Sequence, residues 1–177
     1  MNKVLYIILI SFFSLTVNSC AKKSSDDSKT TTTDNTTTTT SSVSFVAVGN
    51  SGTILTSSDN GTTWTSRTSG TTNNLRRVTY GNGLFVTGGG SGTLLTSTDG
   101  TSWTARTSGT TNILYGVTYG NSIFVIGGTS GTILTSSDGT TWTARTSGTS
   151  KYILGLTYGN GLFVSVGESG TILTSTD

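Results

Sequence analysis

The chain has 177 residues with no histidine, no proline, one cysteine, 10% charged residues and a formal net charge of +2. That inventory excludes a histidine-based triad, makes a zinc site or a thiol nucleophile unexpected, and gives no basic surface for nucleic acid. Abundant threonine and serine beside 24 glycines suit short strands and tight turns better than helices.

Residues 1–19 read as a secretion signal, with Lys3 as the positive start, Val4–Val17 as the apolar stretch and small Ser19 before Cys20. The apolar stretch is shorter than the roughly 20 residues of a spanning helix. The segment VNSC at Val17–Cys20 resembles a bacterial lipobox, although Asn18 departs from the commoner small residue. The resemblance implies cleavage before Cys20, lipidation of Cys20 and anchoring of the chain in the bacterial cell envelope. An ordinary cleaved signal with unmodified Cys20 is the alternative, and no second cysteine exists to pair with it. Residues 20–42 are polar, low in complexity and without a large apolar side chain, so they are expected to form a flexible tether. Lys22 and Lys23 within it could touch anionic headgroups or remain solvated.

From Val43 to Asp177 the chain repeats itself. Phe45, Phe85, Phe124 and Phe163 mark the period, as do Trp64, Trp103 and Trp142, and the spacing is 39 residues apart from one insertion at Asn60. In the second copy, four strand signals follow one another: a at Leu75–Tyr80, b at Leu84–Thr87, c at Thr93–Ser97 and d at Ser102–Thr107. Between a and b lies GNG or GNS, a signal for a two-residue hairpin turn, and strands b and c carry apolar runs that suit a strand covered on both faces. A period near 40 with four strands predicts an all-β fold, a β-propeller of four-stranded antiparallel blades with about 3.5 blades present, in an incomplete or open array.

The turn from c to d carries the sharpest motif: Ser57, Asp59, Gly61 and Trp64 in the first copy, Ser97, Asp99, Gly100 and Trp103 in the second, and Ser136, Asp138, Gly139 and Trp142 in the third. It resembles the Asp-box, or bacterial neuraminidase repeat, of sialidase-type propellers, and similar repeats occur in sortilin-like receptors and photosystem II assembly-factor-like propellers. Only the first copy has the full spacing between Asp and Gly. A carboxylate and a hydroxyl two residues apart can satisfy the turn backbone, glycine permits the reversal and tryptophan packs beneath, so these residues are expected to be structural. Arg67, Arg106 and Arg145 recur after the motif and are also assigned to architecture.

Four charged residues of the repeats then remain, Arg76, Arg77, Lys151 and Glu168, all at d-to-a or b-to-c connections on one face; Tyr115 and Tyr152 break the repeat on the same face. These six residues are the candidate binding face, because diversified loops on a rigid scaffold carry specificity. The competing reading is that these loops vary because nothing restrains them. The sialidase resemblance would imply three arginines on a substrate carboxylate, a tyrosine nucleophile and acidic helpers, but the only spare acid is Glu168 and the arginine motif that needs proline is absent. The chain is therefore expected to be non-enzymatic, without cofactor or metal. It would present a surface to protein or glycan and associate with itself through open blade edges. Because Ser175–Asp177 begins a fourth motif without reaching Gly and Trp, a fragment of a larger propeller is the alternative. The repeats supply fourteen strands, and two copies would carry enough for seven blades.

Overall fold

The glycine turns and short apolar runs fold into antiparallel hairpins laid side by side. A computed structural model describes residues 17–23 and 43–177. The strands are β1 (Val17–Lys22), β2 (Phe45–Gly49), β3 (Ile54–Ser57), β4 (Thr65–Arg67), β5 (Leu75–Gly81), β6 (Leu84–Gly89), β7 (Leu94–Ser97), β8 (Thr104–Ala105), β9 (Leu114–Gly120), β10 (Ile123–Gly128), β11 (Ile133–Ser136), β12 (Thr143–Arg145), β13 (Ile153–Gly159), β14 (Leu162–Gly167) and β15 (Ile172–Ser175). They form four antiparallel sheets in sequence order, β1-β2-β3-β4, β5-β6-β7-β8, β9-β10-β11-β12 and β13-β14-β15. The inner strands β1, β5, β9 and β13 stand next to one another, as propeller blades do around an axis.

The hairpin signals hold. Gly81 pairs with Leu84 across the turn, and Asn82 (φ 47°) and Gly83 (φ 72°) both take the positive φ of a type I′ turn. In the third copy Asn121 and Ser122 do the same at 45° and 61°. A second turn went unmarked in the sequence reading. Between b and c each copy has Ser-Gly-Thr, as at Ser91–Thr93, where Ser91 (φ 52°) and Gly92 (φ 68°) are left-handed and the Thr93 N–H donates to the Gly90 carbonyl at 3.0 Å. Strand d is shorter than expected, with only Thr104–Ala105 in the second sheet.

The cores lie between sheets. Val46, Val48 and Ile54 of the first sheet pack with Leu75, Val78 and Phe85 of the second, and Val86 and Leu94 of the second with Leu114, Val117 and Phe124 of the third. Each such side chain removed from water contributes about 1.5–3 kcal/mol. Glycines let the sheets approach: a Cβ on Gly120 would stand 2.1 Å from Cγ of Tyr158, and one on Gly127 2.4 Å from Cγ2 of Ile153. The array does not close. On the outer face of the fourth sheet Val166 is 50% and Ile172 67% exposed, whereas the matching Ile54 and Leu94 are buried.

Among the described residues there are fifteen strands rather than fourteen, because Val17–Lys22 fills the inner position of the first sheet. Its register repeats that of β5: Val17 faces Gly49 and Ser19 faces Val48 across a bulge, as Leu75 faces Gly89 and Arg77 faces Gly88. Cys20, Ala21 and Lys22 of the expected tether are thus paired in a sheet. The Lys23 N–H donates to the Ser44 carbonyl at 2.9 Å, so the chain leaves the sheet and returns to it at adjacent points. The boundary at Val43 marks the start of the repeat pattern, not of the folded sheet. Residues 1–16 of the expected signal and 24–42 of the expected tether lie outside the described residues. With four sheets per chain, two copies hold eight sheets in place of the seven blades counted from sequence.

Candidate functional site

The Ser-Asp-Gly-Trp turn is the most regular polar assembly in the molecule. In the second sheet the Ser97 hydroxyl donates to Asp99 at 2.9 Å and accepts from the Gly100 N–H at 2.8 Å, while the Thr101 and Ser102 N–H groups donate to Asp99 Oδ1 at 2.8 Å. Trp103 Nε1 closes the turn on the Gly100 carbonyl at 3.0 Å. Ser136, Asp138, Gly139 and Trp142 repeat this pattern. In the first copy the inserted Asn60 takes φ 57°, and Gly61 N–H still reaches the Ser57 hydroxyl at 2.8 Å. Hydrogen bonds from the Thr63 hydroxyl and N–H, then from Ser57, lower the Asp59 carboxyl to about 2. Thr141 and Thr140 N–H groups and Ser136 lower Asp138. Around Asp99, partial burial pushes upward and the hydrogen bonds from Thr101, Ser102 and Ser97 together outweigh it. Carboxylates committed to backbone donors in this way are turn locks, not acids or bases poised near neutrality.

Arg67, Arg106 and Arg145 do not use these carboxylates. Each donates from Nε to the threonine of strand c beside it, Thr56, Thr96 and Thr135, at 2.9–3.0 Å. Trp103 and Trp142 pack against Phe85 and Phe124 with ring centroids 6.4 Å apart, and each joins a core shared with the preceding sheet. Trp64 departs from the expected core role, being 40% exposed, because no described sheet lies against its face. A cleft of about 400 Å³ between the third and fourth sheets, lined by Val125, Phe163 and Leu173, corresponds to the Trp103 and Trp142 seats of the earlier interfaces.

The d-to-a and b-to-c connections lie together, as the strand order requires. Gly52 N–H donates to the Asn73 carbonyl at 2.9 Å, Asn73 Nδ2 to Thr93 Oγ1 at 2.8 Å, and Gly90 N–H to the Asn74 carbonyl at 2.9 Å. Of the six residues predicted for this face, the structure brings together two pairs. Arg76 stacks on Tyr115 of the next sheet, its guanidinium carbon 5.5 Å from the ring centroid, within cation–π range. Arg76 Nε is buried without a hydrogen-bond partner among the described residues. The Tyr152 N–H reaches Glu168 Oε2 at 3.5 Å, and the Tyr152 carbonyl accepts the Glu168 N–H at 2.9 Å. Arg77 and Lys151 are exposed. Asn18 was missed as part of this region: its Nδ2 donates to the Leu75 carbonyl at 2.7 Å and to Asn50 Oδ1 at 3.1 Å, and only the bulge register of β1 reveals that it occupies the place of Arg76. Cys20 is exposed and unpaired, its thiol raised by partial burial.

Four sheets of this order and packing define an all-β, propeller-type protein whose array is open. No family model matches the chain, and no curated protein matches it. Among solved structures it is similar to the computationally designed Ika4 protein, at 14% identity and TM-score 0.68 over 93% of this chain and 92% of that one. It is also similar to YCF48 from Cyanidioschyzon merolae, at 18% identity and TM-score 0.61 over 91% of this chain and 53% of that one. A further match is YCF48 bound to D1 peptide, at 18% identity and TM-score 0.66 over 91% and 52%. The chain spans about half the length of the YCF48 chains.

Proposed function

We propose that the protein is a non-enzymatic propeller scaffold that holds a carboxylate-bearing protein segment on the face formed by its d-to-a and b-to-c connections. The observation that carries this reading is Arg76, whose guanidinium lies over Tyr115 and whose buried Nε has no hydrogen-bond partner among the described residues. A guanidinium seated over an aromatic ring is held in place, and its planar donor fork matches a carboxylate. Arg77 and Lys151 are further exposed cations of the repeats. The fold is shared with YCF48, which has been solved bound to D1 peptide, and this lends support to a peptide as the ligand class.

The turn network around Asp59, Asp99 and Asp138 supports the Asp-box reading, and its full engagement with backbone donors supports a chain without hydrolase chemistry. The pairing of Val17 and Ser19 with β2 supports a chain that keeps these residues, since cleavage before Cys20 would take them out of β1, and the lipobox resemblance at Val17–Cys20 is then the second reading of this segment. A piece of a larger propeller is the second reading, favoured by the half-length match to YCF48.

The test is selection of a random peptide library on the immobilised protein, with Arg76→Ala as counter-target and a glycan array in parallel. The expected result is enrichment of acidic peptides whose affinity falls at least tenfold with Arg76→Ala. Peptides that bind both proteins equally, or enrichment on glycans alone, would overturn the reading.

A further inference from the structure

The two ends of the array are unlike, and each lacks what the other has. At the first two interfaces, the earlier sheet offers an apolar face from strands b and c, and the later sheet covers it with the first residue of its inner strand and with its turn tryptophan; at the third, Ile153 covers without a tryptophan. Between the second and third sheets, Val86 and Leu94 are covered by Leu114 and Trp142. Between the first and second, Val46, Val48 and Ile54 are covered by Leu75 and Trp103. The fourth sheet offers the same face with no described residue over it, since Val166 and Ile172 occupy the places of Val48 and Ile54 and are 50% and 67% exposed. The first sheet carries the same cover with no described residue beneath it. Val17 holds the register position of Leu75 and is 48% exposed, and Trp64 holds that of Trp103 and is 40% exposed.

The close contacts follow the same division. A Cβ on Gly100 or Gly139 would meet Val46 or Leu84 of the preceding sheet, whereas at Gly61 the only neighbour within 4 Å is its own Trp64. The one inserted residue of the repeats, Asn60, also falls in this uncovered turn.

We infer that the chain pairs with a second copy of itself, head to tail: Val17 and Trp64 of each copy cover Val166 and Ile172 of the other. Such an interface is heterologous, so it either closes into a ring or grows into a filament. Two copies hold eight sheets, which lies within the four to eight blades at which propellers close. Half-length coverage of YCF48 agrees with an array that continues for about as many sheets again. The occupant is a second copy because the molecule already builds this interface between its own sheets, and its two ends are the two halves of that interface.

The experiment is native mass spectrometry of the full chain released from detergent micelles. The expected species has twice the 18.2 kDa chain mass. Ile172→Lys and Trp64→Lys, each made separately, should give single chains. Both side chains are exposed in one copy, so the thermal melts of the variants report whether folding is intact. Mixing the two variants should restore a two-chain species, because the sound head of one meets the sound tail of the other. Several outcomes would overturn the inference: a single-chain wild type, a ladder of larger masses, a pair that survives both substitutions, or a mixture of folded variants that fails to pair.

Discussion

The first and third sheets share a backbone and differ in what their residues touch. In the third, Tyr119 packs on Phe124 with centroids 4.7 Å apart, and Trp142 closes against the second sheet. In the first, Lys22 takes the tyrosine's place, its ammonium 5.9 Å from the Phe45 ring, and Trp64 stands exposed. Val17, Cys20 and Ala21 occupy positions where β9 has Leu114, Val117 and Thr118. The inner position of a blade therefore needs a strand with the right bulge and hydrogen bonds more than it needs the repeat's own side chains. Asn18 and Ser19 supply part of that fit through the Leu75 carbonyl and the Val78 N–H. Specific packing begins where one sheet lies on another.

The sharpest way to break this contrast is to add one carbon between sheets. Gly120→Ala puts its Cβ against Tyr158 and is expected to cost about 3 kcal/mol, whereas Gly159→Ala, with no neighbour, should cost less than about 0.5 kcal/mol. Urea unfolding midpoints measure both. The tryptophans come next. Trp142→Ala is expected to cost about 2 kcal/mol and Trp64→Ala less than about 1 kcal/mol, measured by urea unfolding in the Ile172→Lys background so that no second chain covers Trp64. Equal losses would contradict the difference between covered and uncovered ends.

Ser122→Gly relieves a left-handed serine at φ 61° and should stabilise by about 1 kcal/mol, raising the melting temperature. The smallest effect is that of pH. Asp59 has a folded value of about 2, below the ordinary value of about 3.9, so its contribution is complete above about pH 4 and is lost as pH falls through about 2. The urea midpoint should stay level down to pH 4.5 and then decline, less so in Asp59→Asn; a decline already complete at pH 5 would contradict the assignment.

Much of this was legible in the sequence because the repeat states it several times. The GNG turns specify positive φ, the serine and aspartate specify a turn, and the phenylalanine at a fixed period marks the core. Ser-Gly-Thr was equally periodic but passed unread, because left-handed serine is rare enough that only Gly92 pointed to a turn. Strand β1 was not legible, since VNSCAK shares no residue pattern with LYGVTYG and its placement rests on backbone pairing. The arginine roles were half legible. Recurrence marked Arg67, Arg106 and Arg145 as structural, but the threonine partners lie across the strand pair from them. The stack of Arg76 on Tyr115 depends on two sheets meeting, and spacing within one copy carries no sign of that.

The central claim is that Val17–Lys22 completes the first sheet. Residue-resolved amide hydrogen exchange on the full chain tests it most directly. The account predicts that the amides of Ala21 and Lys23, which point to β2, exchange slowly, in the manner of Thr79 and Gly81 at the same positions of β5. Exchange at the rate of an unstructured peptide at Ala21 and Lys23, with Thr79 and Gly81 protected, would contradict it.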